Sequence, residues 1–140
     1  MTWINPTPVA VIIVPVIGKG RVGALIGKRG IYPKLGEWNL IAGFVDITDV
    51  SVEAAAVREL LEETGMVVRV ESVKPIHTFC DGRVMLTFCY SDQFLTEKQL
   101  DGFIINNECP EIGVAWEPQS LCFDSHTRAL ARWFEEFCER

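Results

Sequence analysis

Three glutamates stand within five residues of one another in the segment VRELLEETGM, residues 57–66. A helical repeat of about 100° per residue puts Glu59, Glu62 and Glu63 on one side of a helix, so we expect their carboxylates to converge on one spot. Like charges at these spacings destabilise a helix by roughly a few tenths of a kcal/mol per pair. A fold that keeps this segment helical must therefore separate or neutralise three neighbouring negative charges.

The residues around this segment mark the two ends of the helix. Ser51 is a favoured N-cap residue, and Gly65 is a natural stop directly after the last turn. The sequence therefore predicts a helix over residues 52–64. The side that faces away from the carboxylates, and that we expect to pack on a sheet, consists of Ala54, Val57, Leu60 and Leu61.

The acidic side of this helix has two interpretations. The carboxylates fan out into water, as they do on many exposed acidic helices, or they surround a divalent cation. Carboxylate and water oxygens suit hard cations such as Mg²⁺ and Mn²⁺. The three residues alone do not decide between these two interpretations.

The composition excludes several classes of protein. The chain has 140 residues and a net charge of -6. At this length a single domain, residues 1–140, is the simplest organisation. Basic surfaces bind nucleic acid through its phosphates, so an acidic chain argues against a nucleic-acid partner. A small phosphorylated molecule can still be held through a metal ion.

The cysteines and the apolar runs indicate the cellular compartment in which we expect the chain to be found. The five cysteines are scattered without C-x-x-C spacing, and the two histidines stand far apart. This pattern is typical of reduced thiols in a cytoplasmic protein and argues against a zinc site. The apolar run at residues 8–18 is too short to span a bilayer and is broken by Pro15, so we expect no membrane partner.

Apolar segments separated by turn residues predict a mixture of strands and helices, which is the α+β class. Residues 9–17 are β-branched and almost entirely apolar, which is typical of a central strand buried on both faces. The other predicted strands cover residues 21–29, 39–47, 67–80, 83–94 and 111–118. A closing amphipathic helix is predicted over residues 125–140, with Ser125 as its N-cap.

The stretch IAGFVDITDVSVEAAAVRELLEETGM, residues 41–66, resembles the Nudix box. The pattern of that box is G-x5-E-x7-R-E-U-x-E-E-x-G-U, where U is an aliphatic residue. The matching residues are Gly43, Arg58, Glu59, Leu60, Glu62, Glu63, Gly65 and Met66. The resemblance implies a Nudix hydrolase whose mixed β-sheet lies between helices in an α/β/α sandwich.

The resemblance has departures in the loop before the helix. The spacing from Gly43 to Arg58 is one residue longer than the pattern, and counting back from Arg58 puts Val50 where the family has its first glutamate. Asp49 is the nearest acid and a candidate substitute for that glutamate. Residues 40–43 read LIAG where many members read LPGG. These changes affect the loop geometry and leave the helical cluster intact.

The resemblance also implies a chemistry. Family members hydrolyse a nucleoside diphosphate linked to another group, with water attacking one phosphorus. By the resemblance, Glu59 and Glu63 are the first ligands of Mg²⁺ or Mn²⁺, with Glu62 as a further ligand and the Gly43 carbonyl completing the shell. The implied catalytic residues are Arg58, Glu62 and Glu63. Either glutamate of that set accepts the proton of the water, while Arg58 orients Glu59 and pairs with an acid in the preceding loop.

Three residues before the box are candidate substrate contacts, and each has a structural alternative. Trp38 either stacks on a base or packs in the core. Lys28 and Arg29 either contact a phosphate or form a solvated strand edge. Residues 28–46 and 121–134 are similar to Nudix members that act on ADP-ribose and related dinucleotides, so a small-molecule nucleotide such as ADP-ribose or a nucleotide sugar is the expected substrate.

Two other functions stay open at this point. One is hydrolysis of nucleoside triphosphates with release of pyrophosphate. The other is that of a catalytically inactive Nudix domain that senses a nucleotide. The retained Arg58, Glu59, Glu62 and Glu63 favour an enzyme over a sensor. The sequence leaves open whether the chain forms a homodimer.

Overall fold

The computed structural model describes residues 4–138 of the chain. Its strands are β1 (Thr7–Ile13), β2 (Pro15–Gly18), β3 (Arg21–Lys28), β4 (Trp38–Asn39), β5 (Ile41–Phe44), β6 (Val73–Asp81), β7 (Val84–Ser91), β8 (Leu95–Thr96) and β9 (Glu111–Ala115). Its α-helices are α1 (Val52–Thr64) and α2 (Asp124–Glu136), and the shorter 3-10 helices are Val70–Ser72 and Glu97–Gly102. The mixture of strands and helices confirms the predicted α+β class.

The strands form two sheets. One sheet has the order β5-β1-β7-β6, in which β1 runs parallel to β7 and antiparallel to β5. The other has the order β4-β3-β2-β8, and β9 pairs with β3 beside this path. Within the part of the chain that the structure describes, no helix is long and apolar enough to cross a membrane.

The apolar run at residues 9–17 was predicted as one strand, and this prediction is wrong. The run divides at Val14, so that β1 belongs to the first sheet and β2 to the second. The residue after the break is Pro15, which has no N–H to donate to a ladder. The carbonyl of Val14 accepts a hydrogen bond from the Leu25 amide at 2.9 Å, which joins the break to β3.

Two apolar clusters lie on opposite faces of β1. Ile12 belongs to the cluster that includes Leu60 of α1, whereas Val11 belongs to the cluster that includes Leu130 and Trp133 of α2. Successive side chains of a strand point to opposite faces, so one short strand serves both clusters. The result is the α/β/α arrangement that the sequence predicted.

Helix α1 has the ends that were predicted for it. The Ser51 hydroxyl accepts a hydrogen bond from the Ala54 amide at 3.0 Å, and Gly65 ends the helix in the left-handed conformation with φ 79°. The predicted packing side needs one correction, because Leu60 is fully buried but the Leu61 side chain is 50% exposed. The buried stripe instead includes Glu59, which lies one residue before Leu60.

The strand predicted over residues 39–47 divides into β4 and β5, which belong to different sheets, so this prediction is wrong, and several other boundaries also differ. Helix α2 begins at Asp124, and Phe123 is its N-cap residue without a side-chain hydrogen bond, so the prediction of Ser125 as N-cap is wrong. The helix ends at Glu136, and the last two residues of the predicted span lie outside the described residues. The strand predicted from residue 67 begins at Val73, because a 3-10 turn precedes it.

We expect Leu60→Ala to lower the free energy of unfolding by about 2–5 kcal/mol, because it leaves a cavity under α1. Leu61→Ala removes the same atoms from the exposed side of the same helix and should change stability by less than about 0.5 kcal/mol. Urea unfolding of both variants beside the unmodified chain measures the difference. Equal losses in the two variants would contradict the packing described for α1.

Candidate active site

Arg58 donates most of the side-chain hydrogen bonds between α1 and the loop that precedes it. Its Nε and Nη2 donate to the two carboxylate oxygens of Asp49 at 2.9 and 2.8 Å. Its Nη1 donates to Glu59 at 2.9 Å and to Glu62 at 3.1 Å. Its Nη2 also donates to the backbone carbonyl of Phe44 at 2.9 Å. One guanidinium therefore joins α1 to the loop that leads into it.

The bidentate pair between Arg58 and Asp49 confirms that the arginine pairs with an acid in the preceding loop. The hydrogen bonds from Arg58 lower the pKa of Asp49 to about 2, and the Asp46 amide adds to the effect. The same pairing raises the pKa of Arg58 above its ordinary value. Both groups are therefore charged across the physiological pH range, as a charge-assisted pair requires.

Gly43 lies against the carboxyl group of Glu59. A Cβ built at Gly43 would overlap the carboxyl carbon and both carboxylate oxygens of Glu59, so this close approach requires a glycine. Glu59 is mostly buried, and burial raises the pKa of its carboxyl while the bond from Arg58 opposes that rise. Gly43 therefore forms a cradle, the space beside its Cα in which the carboxyl group of Glu59 lies.

Glu63 projects away from the Arg58 cluster. Burial, together with the negative charges of Glu59 and Glu108, raises the pKa of Glu63 to about 8. The Ala42 backbone amide and the charge of Arg29 lower the pKa of the Glu63 carboxyl, but among residues 4–138 no ion pair joins that carboxyl to an arginine or lysine. A carboxylate in this state gains the most from a nearby cation, because its charge is the least compensated in the site.

The helical repeat predicted that the three glutamates of α1 would converge on one spot. The structure does not show this convergence. Glu59 and Glu62 share the guanidinium of Arg58, whereas Glu63 lies in a separate cavity. The Glu62 side chain is 58% exposed. Among residues 4–138, no three His, Cys, Asp or Glu side chains stand in the arrangement of a metal-binding group. The guanidinium is the reason, because it draws two of the three carboxylates to itself.

Glu108 is an acid of this site that the sequence interpretation missed. It lies in the loop before β9, and its carbonyl accepts a hydrogen bond from the Gly30 amide at 2.9 Å. Asn106 fixes the same loop to the end of α1, since its Nδ2 donates to the Glu63 carbonyl at 2.7 Å while its Oδ1 accepts from the amide of Glu108 at 3.1 Å. Asn106 and its neighbour Asn107 mark a turn in the sequence, but their partner helix lies 43 residues earlier.

A small polar cavity brings several predicted site residues together. Lys28, Arg29 and Glu63 line it, and Asn39 and Glu108 join them. Its volume is about 40 Å³. Cations from the end of β3 and acids from α1 and the loop before β9 therefore face the same space. This mixture suits an anionic ligand that is bound partly by arginine and lysine and partly through a cation.

Trp38 does not line this cavity. Its ring packs with the cluster under α2 and lies beside Gly113, where a Cβ would meet it at 3.4 Å. The Lys28 ammonium lies 6.0 Å from the centre of the ring and 3.7 Å from the Glu111 carboxylate. The packing alternative for Trp38 is thus observed, and its contact with a substrate stays a prediction.

A larger groove opens between β6, β7 and α2. Its volume is about 370 Å³, and its lining residues are Ile76, His77, Phe79, Phe88, Ser125, Arg128, Ala129 and Arg132. Ring contacts connect it to the polar cavity: Phe88 meets His126 at 5.4 Å, His126 meets Phe123 at 5.6 Å, and the Arg29 guanidinium lies 5.3 Å from the Phe123 ring. Arg29 therefore lines the cavity and also packs on Phe123, at the far end of a row of ring contacts that runs from the groove through the buried His126.

The oxygen chemistry of the acids suits a hard divalent cation, although no three of them among residues 4–138 stand in the arrangement of a metal-binding group. Glu59 lies in the cradle at Gly43, burial and the charges of Glu59 and Glu108 disfavour the ionised form of Glu63, and Glu108 adds a third acid from a separate segment. Carboxylate and backbone carbonyl oxygens are the ligands that Mg²⁺ and Mn²⁺ prefer. A cation held among these oxygens would also remove the repulsion that raises the pKa of Glu63.

Gly43→Ala should weaken Mn²⁺ binding by about 10- to 100-fold, the range expected when the support of a metal ligand is disturbed. The added methyl group would push the Glu59 carboxylate out of its cradle. Gly102→Ala is a matched control, because its Cβ would meet no atom within 4 Å. Calorimetric titration with Mn²⁺ measures both affinities. An unchanged affinity in a folded Gly43→Ala protein would exclude Glu59 as a ligand.

In the presence of a chelator, the free energy of unfolding should fall as pH rises from about 7 to 8.5. The pKa of Glu63 is raised from 4.5 to about 8, so the folded state keeps a proton that the unfolded chain has already released. This contribution is fully present below pH 4.5 and is lost as pH rises through about 8. Burial lowers the pKa of His126 from 6.5 to about 3, which acts in the opposite sense only at lower pH.

Glu63→Gln is the control for this pH dependence. The amide does not titrate, so the variant should show a flatter profile over the same range when unfolding is followed in urea. Equal slopes for the variant and the unmodified chain would mean that Glu63 titrates in the folded state as it does in water.

Comparison with known proteins identifies the family. A model of the NUDIX domain matches residues 6–135 of the chain. A comparison with curated protein sequences finds no match. The match over residues 6–135 includes both sheets and all but the last residue of α2.

Three solved structures share the fold. A MutT/nudix family protein from Enterococcus faecalis is 21% identical with a TM-score of 0.72, and the alignment covers 89% of this chain but only 51% of that protein. The NUDIX domain of Shewanella oneidensis NrtR complexed with ADP ribose is 19% identical with a TM-score of 0.72, covering 96% of this chain and 90% of that one.

The third is a bifunctional NMN adenylyltransferase/ADP ribose pyrophosphatase from Francisella tularensis, complexed with AMP and a Mn ion. It is 17% identical with a TM-score of 0.70, and the alignment covers 97% of this chain and 43% of that protein. The chain therefore spans about half the length of two of these three proteins. The family model, which matches nearly the whole sequence, carries the conclusion that the chain belongs to the Nudix family.

Proposed function

We propose that this Nudix domain hydrolyses the pyrophosphate linkage of a nucleoside diphosphate derivative with the help of a divalent cation, and that ADP-ribose or a nucleotide sugar is its substrate. One observation carries the proposal: the cations Lys28 and Arg29 line the same cavity as the acids Glu63 and Glu108. A diphosphate needs positive partners, and an acidic protein provides them most effectively by adding a metal ion. Membership of the Nudix family supports the same reaction class.

The residues of the chain have distinct roles in this proposal. Glu59 and Glu63 hold Mg²⁺ or Mn²⁺, with Gly43 and Glu62 as further contributors to its surroundings. The cation, when bound, supplies the Lewis acidity that neutralises an anionic diphosphate. Arg58 fixes the carboxylate of Glu59 through the bond at 2.9 Å.

A carboxylate must also accept the proton of the attacking water. Glu63 and Glu108 both line the cavity, so each lies where a water next to the substrate can reach it. Glu62 is the weaker candidate, because Arg58 donates to it at 3.1 Å and its side chain is 58% exposed. A positioned group of this kind contributes about 10²- to 10⁴-fold to a rate.

The nucleoside half of the substrate has a suitable site in the groove beside α2. Phe79 and Phe88 give the groove an aromatic wall, and its volume of about 370 Å³ suits a base. Ring contacts through the buried His126 and through Phe123 extend from the groove towards Arg29. The diphosphate would then lie against Arg29, between the groove and the acids.

The solved structures favour ADP-ribose among the candidate substrates. The NrtR domain is complexed with ADP ribose, and the protein from F. tularensis is described as an ADP ribose pyrophosphatase. The manganese ion of that protein supports a divalent cation in this fold without choosing between Mg²⁺ and Mn²⁺.

A second candidate function is the binding of ADP-ribose without hydrolysis. NrtR itself has been solved with a 27mer DNA as well as with ADP ribose, which favours a sensing role for some domains of this fold. In the present chain Arg58, Glu59 and Glu63 are all retained, and their arrangement favours catalysis.

Hydrolysis of ADP-ribose to AMP and ribose 5-phosphate should require Mg²⁺ or Mn²⁺ and should stop in EDTA. The experiment is a screen of ADP-ribose, nucleotide sugars, dinucleotides and nucleoside triphosphates, with the products separated and identified. Release of pyrophosphate from triphosphates alone would replace the proposed substrate class with the triphosphate alternative. Tight binding of ADP-ribose without turnover would favour the sensing function.

Glu63→Gln is the matched variant for the same screen. It keeps the volume of the side chain but removes its charge, so we expect turnover to fall by about 10²- to 10⁴-fold. A folded Glu63→Gln protein with unchanged turnover would remove Glu63 from the catalytic machinery.

A further inference from the structure

Asn39 is a buried amide with an unpartnered oxygen. The residue is 3% exposed, and its Oδ1 has no hydrogen-bond partner among the described residues. Leaving a buried acceptor unpaired destabilises the folded state. Such a cost is expected where a ligand provides the missing donor, so the side chain points to a binding function.

The position of Asn39 places it in the proposed site. It ends β4, where it pairs with Gly27 of β3, and it lines the polar cavity beside Arg29, Glu63 and Glu108. The cavity of about 40 Å³ has room for a water or a hydroxyl group but not for a sugar ring or a base. A ligand that reaches Asn39 must therefore extend a small polar group into this space.

The chemistry of the oxygen narrows the identity of that group. Oδ1 of an amide only accepts hydrogen bonds, so its partner must be a donor. The bridging diphosphate of a nucleotide sugar is fully ionised at neutral pH and offers acceptors only. A sugar hydroxyl is a donor of the right size. With the nucleoside placed in the groove beside α2, the available hydroxyls are those of the second sugar, on the other side of the diphosphate.

We propose that Asn39 is a specificity residue that accepts a hydrogen bond from a hydroxyl of the sugar linked to the nucleoside diphosphate, a role that rests on the proposed function. It selects sugar-linked diphosphates over nucleotides that end in phosphate, because only the former bring a donor to Oδ1. A terminal phosphate in the same place would set anionic oxygens against an acceptor and beside Glu63 and Glu108.

Asn39→Leu keeps a similar volume and removes the acceptor. We expect its KM for ADP-ribose to rise about 5- to 10-fold, the loss of one hydrogen bond, while the inhibition constant of ADP stays within twofold because ADP has no second sugar. The melting temperature should be equal to or higher than that of the unmodified chain, since an unpaired polar atom has been removed. A merely structural amide would give the opposite pattern, a lower melting temperature with an unchanged KM.

Two further variants serve as a replacement and as a control for this test. Asn39→Ala introduces no new atom that could clash, so it replaces Asn39→Leu if the leucine variant does not fold. Asn5→Leu makes the same change at an exposed asparagine and should alter neither constant. Equal weakening of ADP-ribose and ADP in the Asn39 variants would overturn the assignment to the second sugar.

The proposed hydrolysis of ADP-ribose and the proposed role of Asn39 can be refuted separately. An unmodified chain that neither hydrolyses nor binds ADP-ribose in Mg²⁺ would refute the proposed function and the role of Asn39 with it. If the unmodified chain binds without turnover, the dissociation constants of ADP-ribose and ADP, measured by thermal shift, replace the kinetic constants. Binding of ADP-ribose that is equally tight in the unmodified and Asn39→Leu proteins would refute the role of Asn39 alone.

Discussion

The guanidinium of Arg58 is the interaction on which the candidate site depends. It donates to Asp49, Glu59, Glu62 and the carbonyl of Phe44, so it holds the loop and the helix in one register. Without this cation, two carboxylates of α1 would repel each other while the loop carried a third. Arginine suits the position because its planar fork offers several donors at once, which a lysine cannot do.

The same guanidinium divides the acids of the site electrostatically. Glu59 and Glu62 receive a positive partner, whereas Glu63 and Glu108 are left to face each other across a cavity whose cations come from β3. The raised pKa of Glu63 is the physical sign of that division. A site built this way gives Asp49, Glu59 and Glu62 a shared positive partner and leaves Glu63 and Glu108 where a cation and a phosphorylated ligand are expected to meet.

Local signals predicted the parts of the molecule that depend on local chemistry. The ends of α1 follow from Ser51 and Gly65, and the resemblance to the Nudix box implied the pairing of Arg58 with the preceding loop. Glu108 could not be predicted in this way, because its place beside Glu63 depends on a loop held by Asn106 and not on any spacing in the chain. The exposure of Leu61 was not predicted for a related reason. The sheet covers a stripe of α1 that is centred on Leu60, and this stripe includes Glu59 but not Leu61.

The break at Val14 has a consequence for how the molecule unfolds. A single run of chain, Thr7 to Gly18, supplies a strand to each sheet, and the side chains of β1 fill the apolar clusters on both of its faces. Neither sheet can therefore lose this run while the other keeps its packing. Local opening of proteins proceeds in contiguous cooperative units, and here the two sheets and both helices share the central member of any such unit. The chain is built to lose its structure in one transition, with the scaffold of the site and the groove beside α2 disappearing together.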